Sequence, residues 1–527
     1  MIKTKKNYLF LFLILFSAYC AISIGQAWDE GHLLLQGKVV TNYLLSLGYI
    51  NEEIFAREYY SPIYYSLKYL FIQIFSTKYQ IEANHLTNLF FSLCTIIGIK
   101  KLSKELFNNK VSFIVFLILF FYPAFNGHMG FNSKDTILAL CHVWFFYLSI
   151  RYLKNQHIKK KSNNYINYIA ILASVGSGIN LYFLGSLIPL FVFLILDFFI
   201  FKKIISKKFN SKRLLVNLLY GVLIFYLLLV IFWIDTHQNI IILPFKLFLE
   251  WFSHDFPWVG YPYILVNGDY YLYDDIPKSY LFINIIFRSP EYFLLLYTLF
   301  PVIILTSISF YKKKFSFFNY KLGLLFSMII FPFCLLYFTP FSIYDGLRHV
   351  LWMLPYLCII PALVIYYLIE NIKNIKEKIT LSFTSLLIIY FLFNFFLITP
   401  YQYTYLNAFN GKIGDRYKKF ENDYWGASLK ELIKKMDLDK ASKIKFATCG
   451  INQKNAEYYL RKNGYSKLRF GNEKNSTYMI MTNRVTLDKD TAYKSENLTN
   501  CFDKFLGKDV FKVKRNGVIL SVIRQIN

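Results

Sequence analysis

The chain has 527 residues, 56% apolar side chains, 20% aromatics and a formal charge of +27. Its apolar residues fall in blocks of about 16 to 23 separated by lysine-rich connectors, a pattern that excludes one large soluble domain and describes a polytopic α-helical membrane protein. The charge excludes nucleic acid as a partner, because most lysines sit in short connectors between apolar runs, where the positive-inside bias places them.

In chain order, MIKTKKN precedes the first apolar run, residues 8–25. No A-x-A-like cleavage site follows, so an uncleaved first span is expected. With Lys3, Lys5 and Lys6 inside, this span delivers QAWDEGH, residues 26–32, to the outer face. The next basic clusters lie around Lys100–Lys110, Lys154–Lys161, 202–213, Lys312–Lys314 and Lys373–Lys378, and all should be cytoplasmic. Spans at 84–99, 111–126, 134–152, 166–180, 182–201, 214–234, 291–310, 320–338, 348–369 and 380–399 satisfy this on one condition. The segment 61–76, SPIYYSLKYLFIQIFS, must not cross; short, aromatic and interrupted by Lys68, it reads as an amphipathic helix in the outer interface. About eleven crossings result, with the N-terminus inside and the C-terminus outside.

This parity divides the chain into a transmembrane domain, 1–399, with outer loops 26–83 and 235–290, and an extracytoplasmic domain, 400–527. KIKFATCG and STYMIMTN read as strands, NAEYYLRKNGY as a helix ended by glycine, and VFKVKRNGVILSVI as a hairpin about Asn516-Gly517, so the tail is a small α/β domain. Cys449 and Cys501 both lie in this polar tail, where a disulfide is possible but their spacing does not establish one. A transporter keeps polar groups in mid-membrane and its loops short. Here polar material gathers on one face, which points to chemistry or binding at the outer leaflet.

Four places carry candidate residues. Asp29 and Glu30 stand where the first span ends, and a carboxylate fixed at a helix end can take a proton from an incoming nucleophile. Trp28 and His32 would line that site, with Arg57 further along the same loop. Carboxylates with waters suit magnesium or manganese, so a divalent cation is a possible cofactor, although no further ligands converge by spacing. In GHMGFNSKDTILAL, Lys134 and Asp135 begin a span and His128 precedes them. In YDGLRHVLWMLP, Arg348 and His349 stand at the mouth of another, where arginine either snorkels to lipid phosphate or clamps the phosphate of a lipid-linked substrate. Asp255, Asp269 and Asp274, in the aromatic and acidic 235–290 loop, suit recognition of sugar hydroxyls.

In order along the chain, these motifs resemble those of the C-type superfamily of membrane glycosyltransferases, which includes protein O-mannosyltransferases and lipid A aminoarabinose transferases. WDEGHLLLQGK resembles its first-loop acidic motif, with Asp29 at the position of the catalytic carboxylate. SPIYYSLKYLF resembles its HPPLYY-type interfacial helix, with Ser61 where that motif has histidine. NSKDTILAL, GLRHVLWMLP and the pair YQYTYLNAFNG and ENDYWGASLKE resemble further motifs of a bacterial subgroup.

The resemblance implies an inverting transferase of the plasma membrane. Its donor would be a polyprenyl-phosphate-linked sugar, and its acceptor a glycan, lipid or protein at the outer face. Asp29 would be the base, and Arg348, with Lys134, would hold the leaving lipid phosphate. Glu30 and Asp135 compete for the place of second carboxylate. Asp423, Tyr424 and Trp425 match the signature without a role, and anchoring the tail domain is the one their position allows. The alternative function class is a polysaccharide polymerase or flippase, for which arginine-rich outer loops rather than an early acidic pair would be expected.

Overall fold

The structure, a computed structural model, describes residues 2–48, 61–205, 208–252, 263–272, 275–339, 343–487 and 497–526. Arg57, Asp255 and Asp274 lie outside the described residues. The chain is a polytopic helical membrane protein with a small C-terminal β-sheet region, and among the described residues six helices are long and apolar enough to cross a membrane.

Helices α1 (Ile2–Ser23), α2 (Glu30–Leu45), α3 (Ile63–Ile72), α4 (Gln80–Leu106), α5 (Asn109–Phe121), α6 (Pro123–His128), α7 (Asp135–Asn155) and α8 (Lys159–Ile179) form the first half. The six long apolar helices are α4, extended back to Thr77, α7, α11 (Ser211–Phe232), α14 (Glu291–Lys314), α15 (Phe318–Phe338) and α18 (Ile375–Leu397), where α9 (Tyr182–Ser186), α10 (Ile188–Leu196), α12 (Leu243–Phe252), α13 (Tyr280–Arg288), α16 (Leu354–Leu357) and α17 (Ile359–Glu370) fill the intervals. The other expected crossings fall on helices that are shorter, broken or more polar. Residues 182–201 are split among α9, α10 and a π-helical turn, and 348–369 begins as irregular turns before α16 and α17.

Helix α7 is the hub: it packs on α4 and α8, while α4 also packs on α5, and α17 fits against α5, α14 and α18. The fully buried Phe120, Tyr122, Phe146 and Tyr356 fill this centre. Helix α3 has ten residues, about 15 Å of rise, half of a hydrocarbon core. It lies against α2 and α8.

The described residues of 235–290 carry secondary structure. It holds α12, an antiparallel hairpin of β1 (Tyr263–Val266) and β2 (Asp269–Leu272), and α13. Asn267 and Gly268 turn that hairpin with φ of 54° and 104°, left-handed values that asparagine and glycine tolerate best.

In the tail, α19 (Leu429–Lys434) and α20 (Gln453–Lys462) accompany a sheet whose strands are β3 (Lys445–Cys449), β4 (Arg469–Phe470), β5 (Tyr478–Thr482), β8 (Lys508–Arg515) and β9 (Val518–Gln525). A separate pair, β6 (Val485–Leu487) with β7 (Leu498–Asn500), lies between β5 and β8 in sequence. The order is β4-β3-β5-β9-β8, parallel across β4, β3 and β5 and antiparallel beyond. Asn516 and Gly517 close the last hairpin with positive φ, and Cys449 is bonded to Cys501. The core of the tail runs on into Ile24, Ala27, Phe131, Tyr401 and Tyr424, so the tail is packed onto one end of the helices.

Candidate active site

The segment after α1 is held against the tail through its backbone. Gly25 N–H donates to the Ala427 carbonyl at 2.8 Å, Gln26 N–H to the Tyr459 hydroxyl at 2.7 Å, and the Asn455 amide donates to the Gln26 and Ala27 carbonyls at 3.2 Å. With the backbone held on both sides, Asp29 occupies the N-cap of α2. Its side chain makes no cap hydrogen bond, although aspartate is among the best capping residues.

Glu30 instead holds the backbone ahead of the helix. It is 1% exposed, and its carboxylate accepts from Ala27 N–H at 2.6 Å and from the Asn84 amide at 2.6 Å, with His85 Nε2 at 3.0 Å. His85 Nδ1 faces the Ala21 carbonyl at 2.8 Å. A carbonyl only accepts, so Nδ1 donates to it and Nε2 faces the Glu30 carboxylate. Glu30 therefore ties α2 to α4 and, through His85, to α1, with its carboxylate buried in those contacts. Its neighbour is left with its oxygens uncommitted by capping.

Facing Asp29 is Arg348, whose Nη1 lies 3.6 Å from Asp29 Oδ2 and whose Nε lies 3.3 Å from Asp345 Oδ2. The guanidinium is stacked between Tyr344 and Trp425, at 4.6 and 4.8 Å from the ring centres. The Asp345-Gly346 turn has φ of 57° and 70°, and a Cβ at Gly346 would meet Arg288 Nε at 3.3 Å. That turn presents Asp345 to three partners at once, since it also accepts from Trp425 Nε1 at 3.0 Å and pairs with Arg484 Nη1 at 3.2 Å. Arg484 continues to Glu421 at 3.8 Å and lies over the Trp28 ring at 5.7 Å. Burial pushes the Glu421 carboxyl up and Asp345 reinforces this, against the pull of Arg484 and Arg288.

The loop before α7 closes another side. Asn132 accepts from the backbone N–H groups of Lys134 and Asp135 at 3.2 and 3.0 Å and donates to Asp135 Oδ2 at 2.9 Å, fixing that carboxylate. Asp135 is near enough to couple electrostatically to Arg348, Lys134 and Asp29. His128 is fully enclosed and bonded to the Tyr424 hydroxyl at 2.8 Å. Burial, with Arg348 and Arg288 adding, lowers its pKa to about 3, so it serves as a neutral packing partner. Gly127 permits this: a Cβ there would come within 2.0 Å of Tyr403 N.

Trp28, Asp29, Lys134, Asp135 and Arg348 thus come together. His349 is half-buried beside the Tyr344 ring, 4.6 Å away, and among the described residues its Nε2 has no hydrogen-bond partner. His32 is exposed on α2 and meets Gln36 at 3.0 Å. Asp269 is exposed at the start of β2, on a hairpin that packs against β6 and β7 of the tail, so its expected place in the site is not observed.

Sequence reasoning left out Asp345, Glu421 and Arg484. Asp345 had a usable signal, an aspartate-glycine turn directly before the arginine motif. Arg484 had only its position after an apolar strand. Asp423 accepts from Ala427 and Ser428 N–H, each at 2.9 Å, and from the Tyr403 hydroxyl, all partners within the tail. Among the described residues, no three His, Cys, Asp or Glu converge to hold a metal ion.

No protein-family model matches the chain, and no curated protein does either. Its fold is that of ArnT from Cupriavidus metallidurans in the apo state, with a TM-score of 0.52 and 12% identity over 99% of this chain and 98% of that one. The same protein bound to undecaprenyl phosphate aligns over the same shares with a TM-score of 0.47 and 12% identity. The apo oligosaccharyltransferase of Archaeoglobus fulgidus aligns over 90% of this chain and 70% of its own, with a TM-score of 0.48 and 12% identity.

Proposed function

We propose that the protein is an inverting glycosyltransferase that moves a sugar from a polyprenyl-phosphate donor to a hydroxyl of a glycan, lipid or protein at the outer face of the plasma membrane. The observation that carries this reading is the Asp29 carboxylate, placed at a helix N-cap but not used for capping, and facing Arg348 at 3.6 Å. Motif order along the chain and the whole-length fold likeness to ArnT support it; undecaprenyl phosphate, a lipid of the donor class, is bound in one structure of that relative.

The acceptor hydroxyl attacks the anomeric carbon. A bond from its oxygen to that carbon forms while the bond from the carbon to the phosphate oxygen breaks. Asp29 takes the hydroxyl proton, and the electron pair of the broken bond passes to the lipid phosphate, whose growing charge Arg348 and Lys134 offset. One displacement inverts the centre. Asp135 orients Lys134 and Arg348, and Trp28 offers the sugar a ring face. Asp345 and Arg484 are positioning residues, since they hold Arg348 in place. Glu30 fixes the loop that carries Asp29.

The same reading assigns eleven crossings, with residues 1–399 as the membrane domain and 400–527 outside. The Cys449–Cys501 disulfide supports that orientation, because such bonds persist in oxidising compartments.

Proteoliposomes supplied with polyprenyl-phosphate-linked sugars and a cell-envelope extract test the proposal through release of polyprenyl phosphate, a product common to every acceptor. Wild-type protein releases it and the Asp29→Asn variant does not. Near-wild-type release by that variant would overturn the mechanism.

A further inference from the structure

Next to the charged cluster the surface turns apolar. A groove of about 1130 Å³ opens between α3, α4, α7 and α8, larger than the roughly 300–1,000 Å³ of small-molecule sites. Its α7 wall, Ile137, Leu140 and Cys141, begins two residues past Asp135. Leu67, Phe71, Phe90 and Ile171 at its edges are exposed, so the groove is open sideways, toward hydrocarbon in a membrane-embedded chain.

Two ionisable groups line it. Glu82 is paired with Lys430 at 3.0 Å, and among the described residues its second oxygen, Oε2, is buried without a hydrogen-bond partner. Lys68 on α3 is 3% exposed, and among the described residues its ammonium meets only the faces of Tyr64 at 5.3 Å and Tyr65 at 5.8 Å. Burial pushes its pKa down to about 8, with Glu30 opposing, so the cation still predominates at pH 7. An enclosed ammonium with no carboxylate in contact is costly, and it calls for an anion. Ring faces offset part of that cost. Arg348 pairs with Asp345 and Asp29, whereas the carboxylate acting on Lys68 from beyond contact is Glu30. The two cations therefore serve separate anions.

We propose that this groove seats a hydrocarbon chain of an anionic phospholipid distinct from the sugar donor, with Lys68 as counter-cation to its phosphate and Glu82 Oε2 as acceptor for a head-group hydroxyl. Phosphatidylglycerol has both features. The site depends on the groove and Lys68, independently of the chemistry at Asp29.

Photoactivatable phosphatidylglycerol, phosphatidylcholine and polyprenyl phosphate, each incorporated into phosphatidylcholine vesicles holding the full-length protein, test this by peptide mapping of the cross-links. Phosphatidylglycerol labels α3 and α8 and is displaced by unlabelled phosphatidylglycerol but not by polyprenyl phosphate. Lys68→Met lowers that labelling about tenfold, the scale of one lost charge-assisted contact, and Lys68→Arg keeps it. Equal labelling by phosphatidylcholine, undiminished labelling of Lys68→Met, or displacement by polyprenyl phosphate overturns the proposal. Asp29→Asn is labelled like wild type while releasing no polyprenyl phosphate, so failure of the transferase reading is seen separately.

Discussion

Asp29 and Glu30 are neighbours in sequence and belong to opposite kinds of charge cluster. Around Glu30, hydrogen bonds from Ala27, Asn84 and His85 converge on a carboxylate that is 1% exposed. That node is closed: its low-dielectric setting makes each bond strong and leaves no capacity for a ligand. Around Arg348, charges are paired at longer range, 3.3–3.6 Å to Asp345 and Asp29, and the Asp29 side chain is 40% exposed. Loose pairing beside an open carboxylate is what a group awaiting substrate needs, because tight mutual satisfaction would have to be undone at binding. One carboxylate holds the architecture and the adjacent one is left available.

The largest effect follows from removing the open carboxylate. Asp29→Asn should lower transfer by about 10²–10⁴-fold, the range for loss of a general base, with thermal stability close to wild type; polyprenyl phosphate release and a thermal unfolding scan check the two halves. A variant that loses stability and activity in parallel would erase the contrast with Glu30. Next, Arg348→Gln should lower turnover by about 10²–10³-fold, as for loss of a donor that stabilises developing charge. Because it also leaves Asp345 with one cation fewer, its melting temperature should fall, which Asp29→Asn does not do. Steady-state kinetics on the folded fraction separate these contributions.

The contrast was only half legible in the sequence. Asp29 and Arg348 stand in short motifs at helix ends, where position alone narrows their roles. Only the motif resemblance separates Asp29 from Glu30 in the sequence, since the physical distinction is made by Asn84 and His85 on α4, a helix that reads as an ordinary span. Arg484 was likewise invisible, because its role depends on the tail folding back so that the segment after β5 meets the turn at Asp345. The strands were readable from alternation, and the Asn516-Gly517 hairpin from its turn chemistry. The same asparagine-glycine signal at Asn267-Gly268 marked the β1–β2 hairpin within what read as a loop.

The closed node can be broken in a way that sharpens the difference. Glu30→Leu should destabilise the protein by about 3–5 kcal/mol, because it leaves His85 and the Asn84 amide buried without their carboxylate partner. Glu30→Gln keeps the shape and an acceptor oxygen and should cost about 1–3 kcal/mol. Transfer per folded molecule should stay within a few-fold of wild type for Glu30→Gln. Chemical denaturation in detergent, with activity normalised to the folded fraction, reads both numbers. A loss as deep as that of Asp29→Asn with stability intact would place Glu30 in the reacting site after all.

The smallest effect lies at the edge between the two kinds of cluster. Glu421 is buried like Glu30 but shares Arg484 with Asp345, and burial raises its pKa above the usual carboxylate range. A folded-state value above the unfolded one means that the folded protein holds this proton more tightly. Its contribution to stability is therefore complete below the unfolded value of about 4.5 and is lost as pH rises toward about 7. One proton sets the slope at no more than about 1.4 kcal/mol per pH unit. Glu421→Gln cannot ionise, so the difference in unfolding free energy between variant and wild type should move in the variant's favour between pH 4.5 and 7 and flatten above it. A difference that stays constant across that window would show that Arg484 holds Glu421 ionised throughout, and the cluster would then be as closed as the one around Glu30.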